Sequence, residues 1–173
     1  MTISLYTVTI PAFQQTLGAI TGLIDKAEAF AAAKGIDPQT IVDARLAPDM
    51  LPFAYQVKSV TSHSLGAING VRAGTFSPDM GPLPADFAVM RALLAATAAE
   101  LATIDPAELD GVVGRDMAFV MGDFRLDFTA ENFLLSFSLP NFYFHATTAY
   151  DILRAQGVRL GKRDFMGAPR IIG

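Results

Sequence analysis

The sequence predicts a mainly α-helical fold: a four-helix bundle with a short β-hairpin near residues 116–128, placed just before the last helix. Three observations predict it. Apolar residues recur at helical spacing over four long stretches. The period changes to two only between Asp116 and Phe128. Gly35, the loop 74–84, Asp105-Pro106 and Gly157 punctuate the stretches with stop and cap signals. With 51% hydrophobic and 17% charged residues in 173 positions, one core in a single domain, 1–173, accommodates the apolar surface, and general disorder is excluded.

The first helix covers about residues 4–34, with Leu17, Ile20, Ile24, Ala27 and Ala31 on one stripe. Gly35 stops it, and Pro11 implies either an early kink or a helix that begins there. Asp37-Pro38 caps a short helical turn through Ala44, and the connector LAPDMLPF follows, in which Arg45 and Asp49 are placed to pair with one another or with the basic tail. Pro52 opens the second helix. Its buried stripe is Phe53, Val57, Val60, Ser64, Ala67, Ile68 and Val71, and His63 falls at the edge of that stripe. Residues 74–84, GTFSPDMGPLP, read as a loop.

The third helix is predicted from Pro84 or Ala85 to Ile104, with Phe87, Met90, Leu94, Thr97 and Leu101 inward, and Asp105-Pro106 starts a further short turn. In the hairpin, Phe124, Leu126 and Phe128 alternate with Arg125 and Asp127 across a Gly122-Asp123 turn, and the aromatic side is expected against the helices or a second subunit. Asp123 and Asp127 belong to its solvated face. Thr129 then caps a fourth helix from Ala130, with Glu131 at its positive end; Pro140 either kinks this helix or restarts it, and Gly157 ends it. Residues 157–173, with four glycines and a proline, are expected as an irregular arm. Nine of the seventeen aromatic residues lie between Phe119 and Tyr150, which places the core in the last third of the chain.

Composition narrows the chemistry. The absence of cysteine excludes disulfides, a thiolate nucleophile and sulfur-ligated metal sites. The amino-terminal stretch lacks the pattern of a secretory signal, so cytoplasmic residence is expected. The uncharged runs 2–24 and 132–150 carry too many polar groups for lipid-facing spans and read as core helices, so no membrane partner is expected. Arg154, Arg159, Lys162, Arg163 and Arg170 form a basic tail on a chain of net charge −4; pairing with the protein's own domain or with a second subunit is expected, and nucleic acid is not.

On the fourth helix Phe142, His145, Ala149 and Ile152 share one stripe, while Tyr143, Thr147, Tyr150 and Arg154 share another. His145 therefore lies on an inward, apolar face, either as a satisfied core group bonded to a tyrosine or backbone, or as a ligand or acid–base group in a pocket. A helical metal pair needs a second ligand three or four residues on, where Thr148 and Ala149 stand. No Gly-x-Ser-x-Gly elbow and no phosphate-binding glycine loop is present.

The run LPNFYFHATTAYDILRAQGVRLGKRDFMG at 139–167, with ARLAPDMLPFAYQV at 44–57 and the opening of the first helix, resembles a bacterial domain-of-unknown-function family similar to the DinB/YfiT-like helical bundles. The resemblance implies a four-helix bundle and a homodimer. It also implies that relatives in the wider superfamily hold a divalent metal with three histidines, one on the second helix and two on a later helix four residues apart, and that some are thiol-dependent transferases. Carried over, His145 takes one ligand place, Ala149 stands at another, and Gln56 or His63 would have to serve on the second helix.

The expectation is a protein without a cofactor that binds a small molecule or a partner in a pocket drawn from His145, Tyr143, Tyr150, Phe142, Gln56 and His63. The alternative is a metal-dependent transferase or hydrolase with an incomplete histidine site, in which a divalent metal sits on His145 and His63. Whether a reaction is catalysed stays open at this level.

Overall fold

Ser4 opens the first helix by accepting the Thr7 backbone N–H on its Oγ at 3.2 Å. The computed structural model describes residues 4–172. Helix α1 (Leu5–Lys34) runs unbroken to Gly35, whose φ of 64° supplies the left-handed stop. It passes through Pro11 rather than starting there: the serine cap satisfies the first turn, and Pro11 forgoes only one backbone bond a turn later. Asp37 caps α2 (Pro38–Val42) through Gln39 N–H at 3.0 Å.

Helix α3 occupies residues 53–73 in three parts: α-helical Phe53–Thr61, a π-helical turn Ser62–Gly66, and α-helical Ala67–Ala73. The segment after it is not wholly loop. Thr75–Phe76 forms a strand, β1, packed so closely on α3 that a Cβ on Gly70 would lie 2.9 Å from the Cβ of Phe76. Two residues are too few to show a period, so the strand is invisible in the sequence. Helix α4 (Phe87–Leu101) starts later than Pro84 suggests, because Asp86 takes the cap position and accepts Val89 N–H at 2.8 Å. Asp105 caps α5 (Pro106–Asp110) as its sequence indicates.

Strands β2 (Asp116–Met121) and β3 (Phe124–Thr129) form the expected hairpin around Gly122, with Phe119 opposite Leu126. Strand β1 adds in parallel beside β2, pairing Phe76 with Phe119, so the sheet order is β1-β2-β3 and β3 is an edge. The hairpin buries Met117 and Phe119 of β2, and Phe124 and Leu126 of β3 stand opposite Met121 and Phe119 on the same face but stay 51% and 37% exposed at the sheet edge. Both strands carry the inward aromatic side, since Phe128 of β3 packs on Phe133 and Phe137 at 5.8 and 5.7 Å.

Helix α6 covers residues 130–155: Ala130–Asn132, a second π-helical turn Phe133–Ser138, and α-helical Leu139–Ala155. Thr129 holds the cap position without a capping side-chain bond; the carboxylate of Glu131 instead accepts Gly114 N–H at 2.8 Å. Pro140 sits in the first turn after the π segment, where α-helical bonding restarts and its missing donor costs least. The carboxyl-terminal arm is not irregular throughout, since Lys162–Met166 forms α7. Lys26 reaches Asp164 at 2.5 Å and Gln15 donates to the Met166 carbonyl at 2.8 Å, which fastens α7 to α1.

The four long helices share one core: α1 packs on α4 and α6, and α3 packs on the same two. Its largest fully buried side chains include Phe13, Phe53, Phe133 and Phe142, so the core draws on both ends of the chain rather than on the last third. Phe13 and Phe142 meet edge to face at 4.8 Å. Among the described residues no helix is long and apolar enough to cross a membrane.

Candidate functional site

Both interruptions fall where α3 and α6 lie side by side, and each delivers a group to one place. A π turn fits one extra residue into the helical repeat and so changes which side chains face the neighbouring helix. The turn in α3 carries His63, and the turn in α6 ends on Ser138. Ser138 Oγ donates to the His63 carbonyl at 2.9 Å, leaving its lone pairs for His63 Nδ1–H at 3.4 Å.

Gln56 performs the matching task for His145. Buried to 2% exposure, it donates through Nε2 to the Leu51 carbonyl at 2.8 Å, which turns Oε1 toward His145 Nδ1 at 2.7 Å. An amide oxygen only accepts, so the proton on His145 resides on Nδ1 and Nε2 keeps its lone pair. The two rings are nearly parallel, 5.7 Å apart at 16°. Tyr55 stands edge-on to His145 at 5.9 Å, and Phe76 and Phe137 flank His63 at 5.6 and 6.1 Å.

These rings line a pocket of about 450 Å³, together with Ser59, Ser62, Phe119 and Asn141. Its roof is the loop after β1, including Pro78, Asp79, Met80 and Gly81. Lys58 secures the roof. Its buried Nζ donates to the carbonyls of Asp79 at 3.0 Å and Gly81 at 2.7 Å and pairs with Asp79 Oδ1 at 3.1 Å. The Gly81 N–H, with Lys58 adding to it, holds the Asp79 carboxyl below its ordinary range.

Burial lowers both histidines from 6.5 to about 4, and for His63 the neighbouring His145 contributes a smaller part of that shift. Both are neutral at pH 7. They present unprotonated Nε2 atoms as hydrogen-bond acceptors, and they are weak bases.

Residues 5–166 match the family model described as Domain of unknown function (DUF1993). This chain belongs to the DUF1993 family. It is also similar to a DinB family member protein from Shewanella denitrificans known from its crystal structure, at 27% identity and a TM-score of 0.82, over 98% of this chain and 95% of that one. No curated protein matches it. The fold is therefore mainly helical and DinB-like.

The three-imidazole centre of the wider DinB superfamily does not fit this DUF1993 chain. His63 and His145 supply two imidazoles, and a fully buried Ala149 stands where another would follow His145 on its helix. Among the described residues no group of three His, Cys, Asp or Glu is arranged to hold an ion.

Of the residues singled out by sequence, His145, His63 and Gln56 come together. Phe142, Tyr143 and Tyr150 do not reach the pocket. Phe142 packs in the core against Phe13, Tyr143 lies edge-on to Phe142 and is 38% exposed, and Tyr150 packs on Phe165 at 5.8 Å. The satisfied-histidine reading is corrected in its partner, which is an amide rather than a tyrosine or backbone group. Arg45 donates to the Met50 carbonyl at 2.6 Å and not to Asp49. Sequence reasoning missed Tyr55, Lys58, Asp79, Ser138 and Asn141. Asn141 and Ser138 carried a usable signal, since they precede His145 by one and two helical turns and so share its face.

Proposed function

We propose that this DUF1993 protein binds a small molecule with an apolar body in the paired-histidine pocket, without a metal ion. The observation that carries the proposal is the double pinning of Nδ1, by Gln56 and Ser138, which leaves two Nε2 acceptors at an aromatic-walled pocket. Ligand pockets combine such apolar walls with a few fixed polar groups, and about 450 Å³ is within their usual size. The four long helices serve as a DinB-type four-helix bundle that holds α3 and α6 rigid around the site. The exposed side chains of Phe124, Leu126 and Phe144 support the homodimer that belongs to this reading, as does the free edge of β3. Cytoplasmic residence is part of the same proposal.

A second reading, a metal-dependent transferase or hydrolase, is favoured by that same pinning, because ligating imidazoles are oriented by a partner on the other ring nitrogen. Metal analysis separates the two. Purified protein is expected to hold no stoichiometric divalent ion; a stoichiometric ion that His145→Ala removes would overturn the metal-free proposal. Binding itself is tested by titrating small aromatic molecules while following the histidine and Phe137 ring signals by NMR. Shifts confined to the pocket are expected, and a pocket that no such molecule perturbs would refute the proposal.

A further inference from the structure

We infer that the pocket's occupant is a primary amine, held as its ammonium ion on an apolar body; this rests on the pocket being a binding site and specifies what it binds. The argument is an inventory of hydrogen-bonding capacity. The pocket's one cationic side chain, Lys58, has three N–H groups and three oxygens to meet them: two roof carbonyls and the Asp79 carboxylate. It has no donor left for a carboxylate or phosphate.

His63 and His145 have each committed Nδ1–H to a protein oxygen. What they offer an occupant is the Nε2 lone pair, which repels an anion and receives an N–H. Asn141 donates one Nδ2–H to the Phe137 carbonyl at 2.7 Å, and among the described residues its Oδ1 and its second N–H stay open, so it offers an occupant one acceptor and one donor. At the lip, the 57% exposed Asp79 carboxylate balances the charge of Lys58 through Oδ1, so the pair leaves the pocket without a net positive charge to draw an anion. The Tyr55 and Ser59 hydroxyls can donate or accept, so the two Nε2 atoms tip the balance of the walls toward acceptors.

A buried ammonium needs acceptors on several sides and favours the faces of aromatic rings. The pocket supplies both, with Phe137 and Tyr55 beside the two imidazoles. A neutral alcohol would use one acceptor where an ammonium uses three. An anion would meet the two Nε2 lone pairs and no uncommitted cation among the described lining residues.

The full chain is titrated at neutral pH with benzylamine, toluene and benzoate, three probes with one ring and different heads, while the ring signals of both histidines are followed by NMR. Benzylamine is expected to shift both histidines and to bind at least about ten-fold tighter than toluene or benzoate, the scale of one cation–π contact plus charge-assisted hydrogen bonds. Toluene or benzoate binding as tightly would overturn the amine assignment while leaving a binding pocket. No probe shifting either ring would overturn both. Zinc chloride titrated alone, if it saturates both rings stoichiometrically and displaces benzylamine, also overturns both. His145→Phe is expected to weaken benzylamine at least about ten-fold and toluene little; the comparison of probes on the unaltered protein decides the matter even if this variant does not fold.

Discussion

Helix α1 and the pair α3 and α6 solve different problems with the same backbone. Helix α1 makes thirty residues of regular helix, capped at Ser4 and Gly35, and it buries aliphatic and aromatic side chains such as Ile10, Phe13, Leu17 and Ile20 along its length. Helices α3 and α6 each give up regularity for one π turn, and the turns lie against one another. The lesson is that regular helix on one side of the core supplies the packing that lets the other side keep a polar, irregular site. A bundle of four regular helices would bury its interior uniformly and leave no place for two neutral imidazoles.

The two sides should part most clearly with pH. Both histidines have folded values of about 4 against an ordinary 6.5, so as pH falls below about 6.5 the unfolded chain takes up protons that the native protein refuses. Stability is then full above about pH 7 and is lost as pH falls from 6.5 through 4, on the order of 3 kcal/mol for each ring at the bottom of that window. Urea melts across this range measure it. Replacing both histidines by phenylalanine should flatten the dependence, and a dependence that survives the replacement would move its origin away from the site.

The packing between α1 and α6 is next in size. Phe142→Ala removes a fully buried ring that meets Phe13, and denaturation should show a loss of about 3–5 kcal/mol with no change in the histidine titrations. Gln56→Leu should cost less, about 1–3 kcal/mol, because it leaves His145 Nδ1–H and the Leu51 carbonyl without partners. Gln56→Glu sharpens the point. A carboxylate facing Nδ1–H should raise the His145 value above 4, read directly by NMR titration. At the bottom of the scale, Arg125→Ala breaks only an exposed pair with Asp127 on the hairpin and should leave the melting temperature unchanged.

What the sequence made legible follows from the range of each signal. The long helices, the aspartate caps at Asp37 and Asp105 and the Gly122 hairpin rest on local chemistry, and they stand. The core placement of Phe142 and the inward face of His145 came from helical periodicity alone. Strand β1 and the Lys58 bolt depend on residues far apart in the chain, so nothing near Lys58 announces Asp79. The pairing of the two histidines is of the same long-range kind. Regular stepping along the second helix places His63 at the edge of the buried stripe, where it lies half-buried, but periodicity within one helix cannot show that His145 of another helix stands beside it.

Long-range proton–nitrogen NMR correlation of the two imidazoles at neutral pH tests the central claim most directly, because it reports which ring nitrogen carries the proton. Both rings are predicted to be neutral, protonated on Nδ1 and bare on Nε2. A proton on Nε2 of either ring, or an imidazolium in either place, would contradict the pinned, acceptor-rich site.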